Sequence, residues 1–256
     1  MEVIWFKAIT VILIILAGVF GGLFPLKRAL SKSGQENMVF GNAFAGGIFL
    51  GAGLLHMLPD SIENFGNLNL NIDYPFPALM AGAGFIFVLF LEKVLVREEK
   101  LETIGKTTNQ FPTLLFLVLA IHSIIAGMSL GLETSFASGL VIFFAIIAHK
   151  GSASFALGVS MAQSNTQKSL FIKTILFFSI MTPIGIIIGS VLSQIDSSRT
   201  ALWFEAIFDA LAAGTFVYIA VLDIIHEVFE APKKRWGKFA ILILGFLLMA
   251  GIAIWT

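Results

Sequence analysis

Four histidines are the side chains in this 256-residue sequence best suited to holding a transition-metal ion, and all four fall in strongly apolar runs: His56, His122, His149 and His226. An ionisable group inside such a run is expensive enough to mark function. His122 and His149 stand near the centres of two successive runs, each followed at once by a second polar residue, Ser123 and Lys150. Helices running in opposite directions would bring the two imidazoles to one depth. Lys150 is itself mid-run, where a charge costs roughly 2.5–3.5 kcal/mol on insertion scales. The chain contains no cysteine, which removes disulfides, thiolate metal sites and cysteine nucleophiles together.

Carboxylates flank the histidine pair. The segment GLLHMLPDSIEN places His56 and Asp60 at i, i+4, and Asp60 and Glu63 at i, i+3, on one helical face. Glu205 and Asp209 are again four apart, and Asp223, His226, Glu227 and Glu230 recur at i, i+3, i+4 and i+7. Two readings of these groups stand: solvated side chains at a membrane interface, or stations for a cation. Asp209 lies deeper in its run and favours the second. Taken in order they form an inlet (His56, Asp60, Asp209), a centre (His122, His149, with Ser123) and an outlet (Asp223, His226, Glu227). Imidazole suits zinc, copper, iron or nickel, whereas magnesium and calcium prefer oxygen shells. A divalent transition metal is the expected cargo.

The elements that must position these groups are membrane helices. The composition is 57% hydrophobic and 12% charged, whereas a soluble domain is about 25% charged. Sixteen bases balance sixteen acids, so no basic field exists to collect nucleic acid, and none is expected as a partner. A spanning helix needs about 20 apolar residues. Eight such runs lie at about 4–26, 39–63, 76–96, 112–133, 137–162, 169–193, 203–228 and 237–255. The fold class is therefore all-α, a single polytopic domain of eight spans over 1–256 in contact with membrane lipid. The first run is too long for a signal-peptide core and has no clear cleavage site. It is read as a span.

Thirteen of the sixteen bases fall in or beside connections 1–2, 3–4, 5–6 and 7–8. Those connections are expected in the cytoplasm, with both termini outside a plasma membrane. Gly47 and Gly51, Gly127 and Gly131, and Gly185 and Gly189 are small pairs four apart, a spacing that lets helices approach closely. Pro183 predicts a kink in the sixth run.

In four places the chain resembles the ZIP (Zrt/Irt-like) metal transporter family: NAFAGGIFLGAGLLHMLPDS in the second run, HSIIAGMSLGLE in the fourth, HKGSASFALG in the fifth and LAAGTFVYIAVLDIIHE in the seventh. Their order and the eight-span count agree. The resemblance implies uptake of zinc or iron-like ions into the cytoplasm, a site between spans 4 and 5, a homodimer, and elevator-like movement of a transport domain against a scaffold. No cofactor is implied beyond the transported ion, Zn2+ foremost. By position it makes His122 and His149 metal ligands, and it sets Ser123 at a place that is often Asn or Ser. Lys150 matches an Asp of two-metal members, so its ammonium stands where a second cation would sit. Thr182 matches a Glu ligand of those members, and both replacements imply a single ion.

The departures from the family pattern are two. Ala126 occupies the Glu position one turn after His122, and Ala153 that of the shared Glu four residues after His149. Two imidazoles and hydroxyls beside an ammonium carry no negative charge to offset a divalent ion. A further ligand from span 2 or 7 would repair this. The alternative is a transport-deficient or metal-sensing homologue. The 3–4 connection, VREEKLETIGKTTNQ, also lacks a His-rich run. An intramembrane metallohydrolase would want about three protein ligands and a base, as in HExxH. No HExxH occurs, so an enzyme is not expected.

Overall fold

The computed structural model describes residues 2–28, 32–95, 111–164, 166–193, 198–230 and 232–254. Among them every regular element is helical, and eight helices are long and apolar enough to cross a membrane. These are α1 (Trp5–Leu26), α2 (Met38–Asn67), α3 (Phe76–Val94), α4 (Leu115–Leu132), α5 (Phe136–Ala162), α6 (Lys168–Leu192), α7 (Leu202–Glu230) and α8 (Arg235–Ile252). The eight apolar runs and the eight helices coincide. The largest difference is at α2, which continues to Asn67 beyond the expected end at 63. Its last stretch, LPDSIENFGN, is amphipathic, and Ser61, buried within it, donates to the Ala206 carbonyl of α7 at 2.6 Å. The polar 97–110 connection, with Arg97, Lys100 and Lys106, lies outside the described residues.

The closest helix packings are α1 on α5, α4 on α6, α2 on α8 and α3 on α7, together with α2 on α7, which is the most extensive. The α4–α6 pair shows why the small residues sit where they do. A Cβ on Gly127 would run into the Thr182 carbonyl, and one on Gly185 into the Ile124 carbonyl. The backbones therefore touch, an approach that no larger residue permits. Pro183 lies within α6, one residue after that contact.

These pairs gather into two groups, α1, α4, α5 and α6 in one, α2, α3, α7 and α8 in the other, with sparser packing between them. Polar side chains stitch each group internally. In the first, Lys7 Nζ donates to the Gly131 carbonyl at 2.5 Å and to Ser190 Oγ at 3.3 Å, and Ser154 Oγ donates to the Gly18 carbonyl at 2.5 Å. Lys7 thereby places a positive charge at the C-terminal ends of α4 and α6, where the helix dipoles favour it. In the second, Tyr218 donates to Glu92 at 2.7 Å and buried Lys238 to the Val228 carbonyl at 2.7 Å. Contacts between the groups are mainly of rings and aliphatic chains, with Ser129 reaching Glu205 at one end.

Three helices contain a turn widened by one residue, at Gly53–Met57 in α2, Leu91–Leu95 at the end of α3 and Ile219–Ile225 in α7. In α2 the Leu58 N–H reaches back five residues to the Gly53 carbonyl, and Pro59 follows. Proline has no N–H to give, so the ladder is recut at a point it must break anyway. His56 lies inside this turn.

Gly185→Ala should push α4 from α6 and lower thermal stability in detergent by about 1–3 kcal/mol, the usual cost of overpacking. Gly82→Ala, where nothing lies within 4 Å of the added carbon, should leave the melting temperature unchanged or slightly raised.

Candidate metal centre

A cavity of about 550 Å³ opens between the two helix groups, at the end where α2 and α4 finish and α5 and α7 begin. Five carboxylates line it, Asp60, Glu63, Glu133, Glu205 and Asp209, and among the described residues no lysine or arginine does. Such a vestibule concentrates cations, since a cleft lined by one sign of charge focuses the field. Its wall also includes His56, His122 and Ala126.

His122 comes from the middle of α4 and His149 from the middle of α5. Both are buried, and their Nε2 atoms lie 3.5 Å apart. Two imidazole nitrogens bound to one tetrahedral zinc at roughly 2.0–2.1 Å are themselves about 3.3 Å apart. The pair is thus preset near the bite of a single ion. His56 approaches from the other helix group, its ring centroid 5.9 Å from that of His149. Its Nδ1 lies 3.0 Å from Asp60 Oδ2, close but outside hydrogen-bond geometry. A hydrogen bond from Nδ1–H to that carboxylate would orient the ring and leave Nε2 for a metal. No three His, Asp or Glu side chains among the described residues converge tightly enough to enclose an ion.

The far side of the pair is closed by rings. Phe216 of α7 meets the His122 ring edge-to-face with centroids 4.8 Å apart, and it packs in turn against Phe49 of α2 at 5.0 Å. Both phenylalanines are fully buried. Nothing in the residue spacing singled them out, since buried aromatics in a membrane bundle are ordinary.

Lys150 is 2% exposed. Its ammonium donates to Ser123 Oγ on α4 at 3.0 Å and to the Phe178 carbonyl on α6 at 3.0 Å, and lies 3.6 Å from the Phe178 ring centroid. Ser123 is therefore a partner of Lys150 and does not line the cavity. Thr182 is buried in α6. The two alanines differ. Ala126 is half-buried on the cavity wall, whereas Ala153 is 4% exposed within the core cluster that contains Leu157 and Phe178.

The structure thus brings His56, Asp60, Asp209, His122 and His149 to one cavity and its floor, and adds Glu133, which ends the segment HSIIAGMSLGLE. The outlet residues stand apart, Asp223 being fourteen positions, roughly 21 Å of helix, beyond Asp209 on α7. Asp223 lies in the widened turn and within hydrogen-bond reach of Glu92, a partner the sequence reading missed. His226 is exposed, with its Nδ1 3.6 Å from Glu230, and Glu227 is exposed beside it.

A family model described as ZIP Zinc transporter matches residues 4–110 and 97–253. The chain is 31% identical over 253 residues to Zinc transporter ZIP1 of Danio rerio, the match covering 83% of each protein. It is 30% identical over 252 residues to Zinc transporter ZIP1 of Takifugu rubripes, again 83% of each. With Zinc transporter ZIP2 of Homo sapiens it shares 26% identity over 256 residues, 82% of this chain and 83% of that protein.

Ala126→Glu would place a carboxylate on the cavity wall one turn from His122. Zinc affinity, read by titration of the purified protein, should rise at least tenfold, about 1.4 kcal/mol. The gain should vanish in the His122→Ala background, because a shared ligand needs its partner. An unchanged affinity in a folded Ala126→Glu protein would remove Ala126 from the coordination sphere.

Proposed function

Because the chain belongs to the ZIP zinc transporter family, we propose that it carries Zn2+ into the cytoplasm through a single-ion site at His122 and His149. The acidic cavity collects the ion from outside, and His56, oriented by Asp60, passes it to the buried pair. Neutral imidazoles bind it there, because only an unprotonated nitrogen can ligate. The Lys150 ammonium repels a second divalent ion and keeps the site at one. Asp223, His226 and Glu227 receive the ion at the other end of α7.

The observation that carries this reading is the 3.5 Å separation of two buried Nε2 atoms at the floor of an acidic cavity. The inward half of the path is blocked by Phe49 and Phe216, both on the second helix group. Passage then requires the first group, which bears His122 and His149, to shift past them. The packing of the helices into two internally bonded groups supports such a movement. A homodimer in the plasma membrane, with both termini outside, completes the proposal.

Uptake of zinc into sealed proteoliposomes tests the site. Wild-type protein should accumulate the ion, while His122→Ala and His149→Ala should each lose at least about nine-tenths of the rate, a change of about 1.4 kcal/mol or more. Uptake at the wild-type rate in either variant would sink the proposed site, and no uptake by the wild type would favour a sensing homologue. Direction is tested separately. The chain has no native cysteine, so a single cysteine placed in the 68–75 connection should react with an impermeant maleimide added outside cells. Labelling only from the cytoplasm would invert the orientation.

A further inference from the structure

The imidazole pair is an uncomfortable seat for a dication. Both rings are nearly sealed, His122 at 5% and His149 at 3% exposure, and among the described residues no third His, Asp or Glu side chain converges tightly enough to enclose an ion with them. Zinc wants about four ligands, so the remainder would have to be water drawn into a floor closed by Phe216. The charged or chargeable groups that act on the pair from outside are Lys150 and His56, with no carboxylate among them. Nor has either Nδ1 a carboxylate to donate to, although such an outer contact holds most ligating histidines.

Each of these features counts less against a soft monocation. Repulsion by the Lys150 ammonium scales with the charge of the ion, so a single positive charge halves it. Cuprous copper is satisfied by fewer donors than zinc and prefers soft, uncharged ones, imidazole and thioether among them. Dryness, which denies zinc its water ligands, shields a cuprous ion from oxidation. Met57 supplies the one sulfur among the described residues of the vestibule lining, beside His56 in the widened turn. An opening of 3.5 Å between the Nε2 atoms serves either ion, so charge and ligand number decide between them.

We propose that His122 and His149 bind cuprous copper, a soft monovalent cation, as a second cargo and hold it more tightly than Zn2+. This rests on the reading of the pair as the transport site. The ion arrives already reduced, so no electron passes through the protein. The vestibule carboxylates draw it in as they draw zinc, because their field acts on any cation. Discrimination is left to the pair.

The test is titration of the purified full-length protein, anaerobically with Cu(I) buffered by bathocuproine disulfonate, and separately with Zn2+ against a zinc chelator. The copper dissociation constant should be at least about a hundredfold lower than that of zinc, and His122→Gln and His149→Gln should each weaken both ions by at least about tenfold. Sealed proteoliposomes should take up Cu(I) in ascorbate as well as Zn2+. X-ray absorption at the copper edge of the wild-type protein, which depends on no variant, should show imidazole nitrogens in a shell of low coordination number. Ala126→Glu adds one negative charge a turn from His122, so a gain of about tenfold for zinc should come with only about threefold for copper. Zinc binding that needs both histidines, with copper held no more tightly or not taken up, would overturn this proposal and leave the zinc site standing. So would equal gains in Ala126→Glu, or a copper shell of sulfur alone, which would move the ion to methionines. If neither ion needed His122 or His149, the pair itself would fail as a transport site, and this inference with it.

Discussion

A buried ammonium with no carboxylate in contact among the described residues sets the geometry of the centre. Lys150 on α5 holds Ser123 of α4 with one hydrogen bond and the Phe178 carbonyl of α6 with another, so three helices are fixed around one nitrogen. A charge in so dry a place is tolerable only because oxygens and an aromatic face replace its water. Since Ser123 follows His122 and Lys150 follows His149, the same tie that satisfies the ammonium also sets the imidazoles against each other. The backbone contact of α4 with α6 through Gly127 and Gly185 makes the arrangement reachable. Larger residues would hold α6 away, and Lys150 could not serve both helices.

The two helix groups divide the labour of the site. The first holds the imidazole pair rigidly. The second provides His56, Asp60 and Asp209 on one side of that pair and the Phe49–Phe216 stack on the other. An ion at the pair would thus touch one group through its ligands and the other through the walls that admit or stop it. The cavity is acidic at its open end and the imidazole pair meets aromatic rings beyond it, a contrast to which α2 and α7 contribute most in passing from Asp60 and Asp209 to Phe49 and Phe216.

Much of this was legible in the residues. The eight spans follow from hydropathy because a lipid-facing helix must be apolar over its whole length, and α3 and α8 are as readable as the interior α4. His122 and His149 stood out because polar groups in such runs are few. Asp60 and His56 were rightly placed on one face, their contact being local to a single turn. What could not be read depends on contacts between helices. The approach of His56 to His149 depends on the widened turn Gly53–Met57, whose extra residue shifts the angular register. Ala126 and Ala153 look equivalent as spacings from their histidines, yet one faces water and the other the core. Ser123 reads as a ligand until Lys150 is seen to occupy it.

The hydrogen bonds made by Lys7, Lys150, Ser154, Ser61, Tyr218 and Lys238 each close within one helix group, while rings and aliphatic chains make most of the contact across the junction. A hydrogen bond is satisfied at one alignment and lost an ångström away, but dispersion between a ring and its neighbours varies gently with position. The bonded interiors therefore behave as solids and the junction between them as a greased bearing. Displacement along it trades one set of apolar contacts for another of similar worth, so the barrier to sliding is set by surface roughness rather than by bonds broken.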